Sequence, residues 1–208
     1  MTTEKSQIHF RPWVGSKYEN GIKGKRLLVL GESHYSDADD PDLTRTVMKR
    51  LLEYKLGACG HESWMKTFTT FERAVAGRAL SGEESIAFWN SAVFYNFIQQ
   101  PLPYRGCRPT VGQFAHSSDA FDEVLNEYEP DLVIVWGVTL FDKISAHDGR
   151  GMLSVMSDTA DVYAFEYTLR SGKTCRMMRM PHPASYGYVW EQWHEAIARF
   201  MALSTVLP

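Results

Sequence analysis

Leu27-Leu28-Val29-Leu30 follows a basic pair and stops at Gly31, and no other feature limits the fold of this chain more. Four consecutive apolar residues bounded by a glycine read as a short strand covered on both faces, the condition of a strand inside a parallel sheet. Leu132-Val133-Ile134-Val135-Trp136 repeats the pattern between Pro130-Asp131 and Gly137. Between these runs a helix is expected over about 113–129, with Phe114, Phe121, Val124, Leu125 and Tyr128 as its apolar set. Strand, helix and strand in alternation is the α/β signature. Ligands in open α/β sheets bind at the carboxyl ends of strands. Glu32, Ser33, His34 and Tyr35 are therefore candidate site residues, and Gly31 lets a ligand approach the backbone closely.

The remaining pattern fills in around these strands. Residues 1–25 read as an irregular lead-in that packs Phe10, Trp13 and Tyr18 onto the core. A helix is expected from Pro41 to about Tyr54 with Asp40 as its N-cap, and a second from about Ser63 to Leu80. Aromatic and β-branched residues predict a strand over 92–97, which puts Asn96 near a carboxyl end. An amide there presents a donor and an acceptor side by side, suited to the edge of a nucleobase. Val162–Tyr167 and Cys175–Met180 flank a turn at Ser171-Gly172 and predict a hairpin. Its second strand runs into Pro181-His182-Pro183, where two prolines hold the imidazole in place. A last helix is expected from Trp190 to Leu203. The fold class is a three-layer α/β/α sandwich with a mainly parallel central sheet and a C-terminal hairpin excursion. A chain of 208 residues, 44% hydrophobic, fits one domain.

Composition excludes several classes. No run approaches the ~20 apolar residues that span a bilayer, so no membrane partner is expected, and the polar start Met1–Ser6 lacks the apolar core of a signal peptide. Three widely separated cysteines, Cys59, Cys107 and Cys175, argue for a reducing, cytoplasmic setting. Cys59 and His61 fall short of the three or four ligands zinc needs, and no metal or cofactor is expected. A net charge of -3 gives no global footprint for nucleic acid. A local phosphate-binding face needs only a few cations, for which Arg105, Arg108, Lys173, Arg176 and Arg179 are candidates. The acidic run Asp37-Ala38-Asp39-Asp40 works against a phosphate close to Tyr35.

Taken in order, four segments resemble the uracil-DNA glycosylase superfamily: Gly31-Glu32-Ser33-His34-Tyr35; the strand with Asn96 and the following Arg108-Pro109-Thr110; Pro130 to Gly137; and His182-Pro183-Ala184-Ser185. That superfamily carries Gly-Glu-Ala-Pro-Gly or Gly-Gln-Asp-Pro-Tyr after its first core strand, an asparagine at the end of the second, and His-Pro-Ser after the last. The resemblance runs from about Lys23 to Phe200 and implies a monomeric DNA glycosylase of base excision repair, hydrolysing the N-glycosidic bond of a flipped uracil or related modified base.

It implies that Glu32 holds or activates the attacking water and that His182, neutral or cationic, hydrogen-bonds the carbonyl of the departing base. Gly31, Ser33, His34, Tyr35 and Asn96 would form the base pocket, and Arg108, Ser185, Tyr186 and Tyr188 are candidates for DNA contact, with Tyr186 or Tyr188 as a wedge. Ser33 stands where one branch has its catalytic aspartate, His34 replaces the motif proline, and the four cysteines of the iron–sulfur branch are missing. Two other readings stay open: a non-catalytic module that binds a nucleotide or base, and a serine esterase using Ser33, whose Gly31-Glu32-Ser33 is similar to the Gly-Asp-Ser start of the GDSL type. Met177 to Pro181 holds no aspartate before His182 to complete such a triad.

Overall fold

The structure, a computed structural model, describes residues 6–148, 152–156 and 161–202; the expectations that touch Met1–Lys5 and Leu203 lie outside the described residues. Strands β1 (Trp13–Val14), β2 (Leu27–Gly31), β3 (Ala92–Asn96), β4 (Leu132–Trp136), β5 (Met152–Met156), β6 (Asp161–Thr168) and β7 (Thr174–Met180) form one sheet in the order β1-β3-β2-β4-β7-β6-β5. The central four, β3, β2, β4 and β7, are mutually parallel, and antiparallel pairs flank them on both sides. Helices α1 (Leu43–Lys55), α2 (Met65–Ala76), α3 (Gly82–Trp89), α4 (Val111–Tyr128), α5 (Val138–Asp148) and α6 (Trp190–Ala202) complete the described elements.

The pleat explains the layering. Alternate residues of a strand point to opposite faces, so Leu27 and Val29 meet α1, α2, α3 and α6, while Leu28 and Leu30 meet α4 and α5. β2, β3 and β4 are buried along their whole lengths, which is why their sequences run apolar without alternation. The first face is an aromatic cluster. Phe68, Phe71, Trp89, Phe94 and Trp136 meet mostly edge to face, at centroid distances of 5.0–6.3 Å, the arrangement that ring quadrupoles favour.

Three expectations need correction. The helix expected from Ser63 to Leu80 is shorter: Gly77, at φ 75°, ends α2 after Ala76, and a separate helix not expected from the sequence, α3, begins beyond Leu80 with a capping box, Ser81 Oγ accepting from Glu84 N–H and the Glu84 carboxylate from Ser81 N–H. α1 begins at Leu43, because Asp40 makes a turn ahead of it; its carboxylate accepts Asp42 N–H and its carbonyl Leu43 N–H, both at 2.9 Å. The hairpin β6–β7 is no excursion. β7 is a core strand parallel to β4, and β6 continues the sheet outward. Within the lead-in, Trp13–Val14 pair with β3, and Phe10 and Tyr18 are buried.

Candidate functional site at the carboxyl edge

The four parallel strands end along one edge, where Gly31 lies opposite Asn96, Leu30 opposite Val135, and Trp136 opposite Met180. β2 leads to α1 on one face and β4 to α5 on the other, so the chain diverges between these two strands. By the general rule for open α/β sheets, such a divergence marks the crevice in which a ligand binds. Glu32 and His34 leave from one lip, Gly137 from the other, and His182 follows the end of the neighbouring β7.

Behind the edge lies a buried polar knot. Asn96 is 6% exposed, His34 7% and Thr44 0%. His34 Nε2 sits 2.8 Å from Thr44 Oγ1 and 3.1 Å from Asn96 Nδ2. A Cβ on residue 31 would lie 2.1 Å from Asn96 Oδ1, so Gly31 is required because the amide of Asn96 occupies the space of a side chain. The backbone of His34 to Ser36 is pinned to Leu102, which donates to His34 O at 2.8 Å and accepts from Ser36 N–H at 3.0 Å. Gln99 clips the lead-in to the same place. Its Oε1 accepts from the backbone N–H of His9 and Phe10, its Nε2 donates to the carbonyls of Asn96 and Phe97, and its own N–H donates to Ser117 Oγ. The ring of Phe10 then meets His34 edge-on at 5.1 Å. Thr44 and Gln99 did not emerge from sequence reasoning. The one signal was an amide three residues beyond a strand end.

Burial pushes the His34 imidazole down to about 4. Below its ordinary value near 6.5 the unfolded chain takes up a proton that the folded protein refuses, so stability falls as pH drops from about 6.5 towards 4. The lowered value corresponds to about 3 kcal/mol lost across that window. Urea melts at pH 7, 5.5 and 4 should show this loss in the wild type and a shallower one in His34→Gln; equal slopes would sink the assignment.

Glu32 is half-buried, and its desolvation raises the carboxyl above its ordinary value while nearby Arg108 partly opposes the rise. The His182 ring packs edge-on against Trp136, at 6.0 Å between centroids. Although part of the residue faces solvent, desolvation of the ring, with Arg105 adding to it, holds the imidazole below its ordinary value. Ala184 N–H donates to His182 Nδ1 at 3.2 Å, and Ser185 closes the turn, its N–H and its hydroxyl both donating to His182 O. With Nδ1 occupied as an acceptor, the neutral ring carries its proton on Nε2 and offers a donor there.

The rim is apolar and aromatic. Of the large apolar side chains exposed in the protein, Tyr35, Tyr104, Val111, Val138, Tyr186 and Val189 all follow carboxyl strand ends or start the helices above them. Tyr186 is fully exposed, whereas Tyr188 packs inward and stacks on Trp193 at 6.4 Å. Ser33 Oγ is buried without a hydrogen-bond partner among the described residues, and the same holds for Trp136 Nε1 and Tyr188 Oη.

The five cations do not form one face. Arg176 points inward and pairs with Glu166 at 3.0 Å, Lys173 pairs with Glu129 at 3.3 Å at the hairpin turn on the opposite edge, and Arg179 pairs with Asp142 at 3.5 Å. Arg176 and Arg179, three apart on β7, point to opposite faces of the sheet, and Lys173 lies in the turn before that strand. Arg105 and Arg108 are exposed at the carboxyl edge and pair with no carboxylate among the described residues. Within the acidic run Asp39 pairs with His9 and the Asp40 carboxylate accepts Asp42 N–H, while Asp42, just beyond the run, pairs with Arg11 and Arg45.

A cleft of about 400 Å³ lies elsewhere, between α4 and the end of β6, lined by Phe121, Leu125, Ile144 and Leu169. At its mouth Arg170 already pairs with Asp122 and its N–H with Asn126, and the Ser118 hydroxyl in its lining donates to the carbonyl of Phe114. The crevice at the carboxyl edge is the better candidate on chemistry. Compared with known proteins, the chain matches no family model and no curated sequence.

Proposed function

We propose that the carboxyl edge hydrolyses the N-glycosidic bond of a flipped uracil or related modified base in DNA, on a uracil-DNA glycosylase-like variant of the α/β architecture. The observation that carries the reading is the common edge at which Glu32, Asn96 and His182 all lie, with His182 Nδ1 occupied by Ala184 N–H so that the neutral ring's donor is Nε2. As the C1′–N bond breaks, the base gains negative charge and the sugar positive charge. His182 Nε2–H hydrogen-bonds the base carbonyl where charge develops, and Glu32 opposes the cationic sugar. Water adds to C1′ through its oxygen; its proton passes by way of Glu32 to the departing base anion or to solvent. Asn96 reads the base edge, Tyr186 acts on the stack, and Arg105 and Arg108 take phosphates.

The esterase reading has little to rest on, because a nucleophile needs a base within hydrogen-bond reach and Ser33 Oγ has no partner among the described residues. The test is alkali-revealed strand cleavage on oligonucleotides carrying uracil, hypoxanthine, xanthine or 5-substituted uracils, single-stranded and mismatched. Base release that is lost in Glu32→Gln is the expected result. Silence across the panel, with base binding indifferent to Glu32, would make the protein a non-catalytic binding module, and rapid fluorophosphonate labelling of Ser33 would make it an esterase.

A further inference from the structure

We propose that His34, braced by Thr44, is a positioning residue that fixes which way round the Asn96 amide faces, and thereby sets the donor–acceptor order the carboxyl edge offers to a ring. The proposal rests on the reading that this edge binds a base. Asn96 Oδ1 is seated directly over Gly31, within 2.1 Å of where a Cβ would be. An oxygen there accepts weak contacts from the glycine Cα–H groups; an NH₂ there would point two donors at carbon. The nitrogen of the amide therefore faces His34, at 3.1 Å from Nε2.

Two donors facing each other across that distance would repel, so Nε2 carries the lone pair and Nδ1 the proton. Thr44 Oγ1, 2.8 Å from the same nitrogen, adds a second donor to that lone pair. The three groups close a consistent circuit: Gly31 sets the amide, the amide sets the tautomer, and Thr44 holds the ring. The neighbours packed on His34 are the uncharged Phe10, Thr44 and Asn96.

One Nδ2 hydrogen is spent on His34. The other, beside Oδ1, stays available, so the amide offers an acceptor and a donor in fixed order. A ring presenting N–H next to C=O fits that order. A ring presenting a bare nitrogen next to NH₂ meets like against like. Turning the amide over would reverse the preference without moving a backbone atom.

Two measurements test this, and they fail separately. The first needs no ligand: long-range ¹⁵N spectra of the histidine rings and the side-chain amide signals of Asn96. His34 is expected with Nε2 unprotonated, and the two Asn96 Nδ2 protons distinct and slow to exchange; His34→Leu should abolish that protection and His34→Gln, which keeps an acceptor, should retain most of it. The opposite tautomer, or amide signals indifferent to His34→Leu, overturns the proposal. Thr44→Val, nearly isosteric, serves if the leucine variant does not fold, and is expected to speed Asn96 amide exchange about tenfold.

The second is binding of free uracil and cytosine by calorimetry. The wild type is expected to favour uracil, with the ratio falling at least tenfold in His34→Leu and recovering in His34→Gln. An unchanged ratio in a folded leucine variant overturns the proposal. Failure of the wild type to bind either base, with the spectra as expected, would count against the base-binding reading and leave the amide lock standing.

Discussion

Replacing Glu72 with alanine is expected to lower the unfolding free energy by about 3–5 kcal/mol. The residue is 2% exposed and its carboxylate gathers three donors: Lys55 Nζ at 2.5 Å, Ser85 Oγ at 2.6 Å and Trp89 Nε1 at 3.0 Å. These come from the end of α1 and from the middle and last residue of α3, so one side chain on α2 ties three helices together. Alanine strands a buried ammonium, a hydroxyl and an indole N–H at once, and each loses its partner without regaining water. Glutamine keeps the size but turns an NH₂ towards donors and should recover little. Urea unfolding followed by tryptophan fluorescence reads the loss. In the double variant Lys55→Met/Glu72→Met the cost should be well below that of Glu72→Ala, since no charge is left alone; additive costs would show that the ion pair is not what matters.

The second large effect concerns rate. On the glycosylase reading, His182→Ala should slow base release by about 10²–10³-fold, the usual consequence of removing one preorganised donor from a developing anion, while leaving Kd for the substrate oligonucleotide nearly unchanged. The pH profile separates the two forms of the ring. His182 is held below its ordinary value near 6.5, so the neutral imidazole persists as pH falls through 6.5, and activity should stay level there. Further acidification protonates Nδ1 and breaks its bond from Ala184 N–H. A rate that climbs through that limb, with the climb absent in His182→Ala, would make the cation the active form. A loss of binding equal to the loss of rate would place His182 in recognition alone.

The parallel core was legible because its strands are buried on both faces, and Leu27–Leu30 and Leu132–Trp136 say so without alternation. The hairpin was legible from its turn, but its place in the sheet was not; nothing local tells Cys175–Met180 that it will lie beside β4. α3 was readable in principle, since Ser81 and Glu84 spell a capping box, and was hidden by the apolar run on either side. Glu32, Asn96 and His182 follow strand ends and could be picked out on that ground. The partners of His34 could not. They depend on α1 bringing Thr44 over the strand end and on β3 running beside β2 in register, and both are tertiary facts. Glu72 lies on the same helix face as Phe68, Phe71 and Val75, where a carboxylate is the mark of a buried partner some distance away.

The clip made by Gln99 bears on how far the site is portable. Phe10 is completely buried against His34, and it is held there by hydrogen bonds from its own backbone and that of His9 to a single glutamine amide. The back wall of the crevice is thus supplied by a peptide that belongs to neither a helix nor a core strand. A designer who grafts β2, its loop and α1 onto another sheet would transfer the chemistry without its wall. The smallest transplantable unit is discontinuous, and it has to carry Ile8–Phe10 along with β3 and the loop after it that bears Gln99.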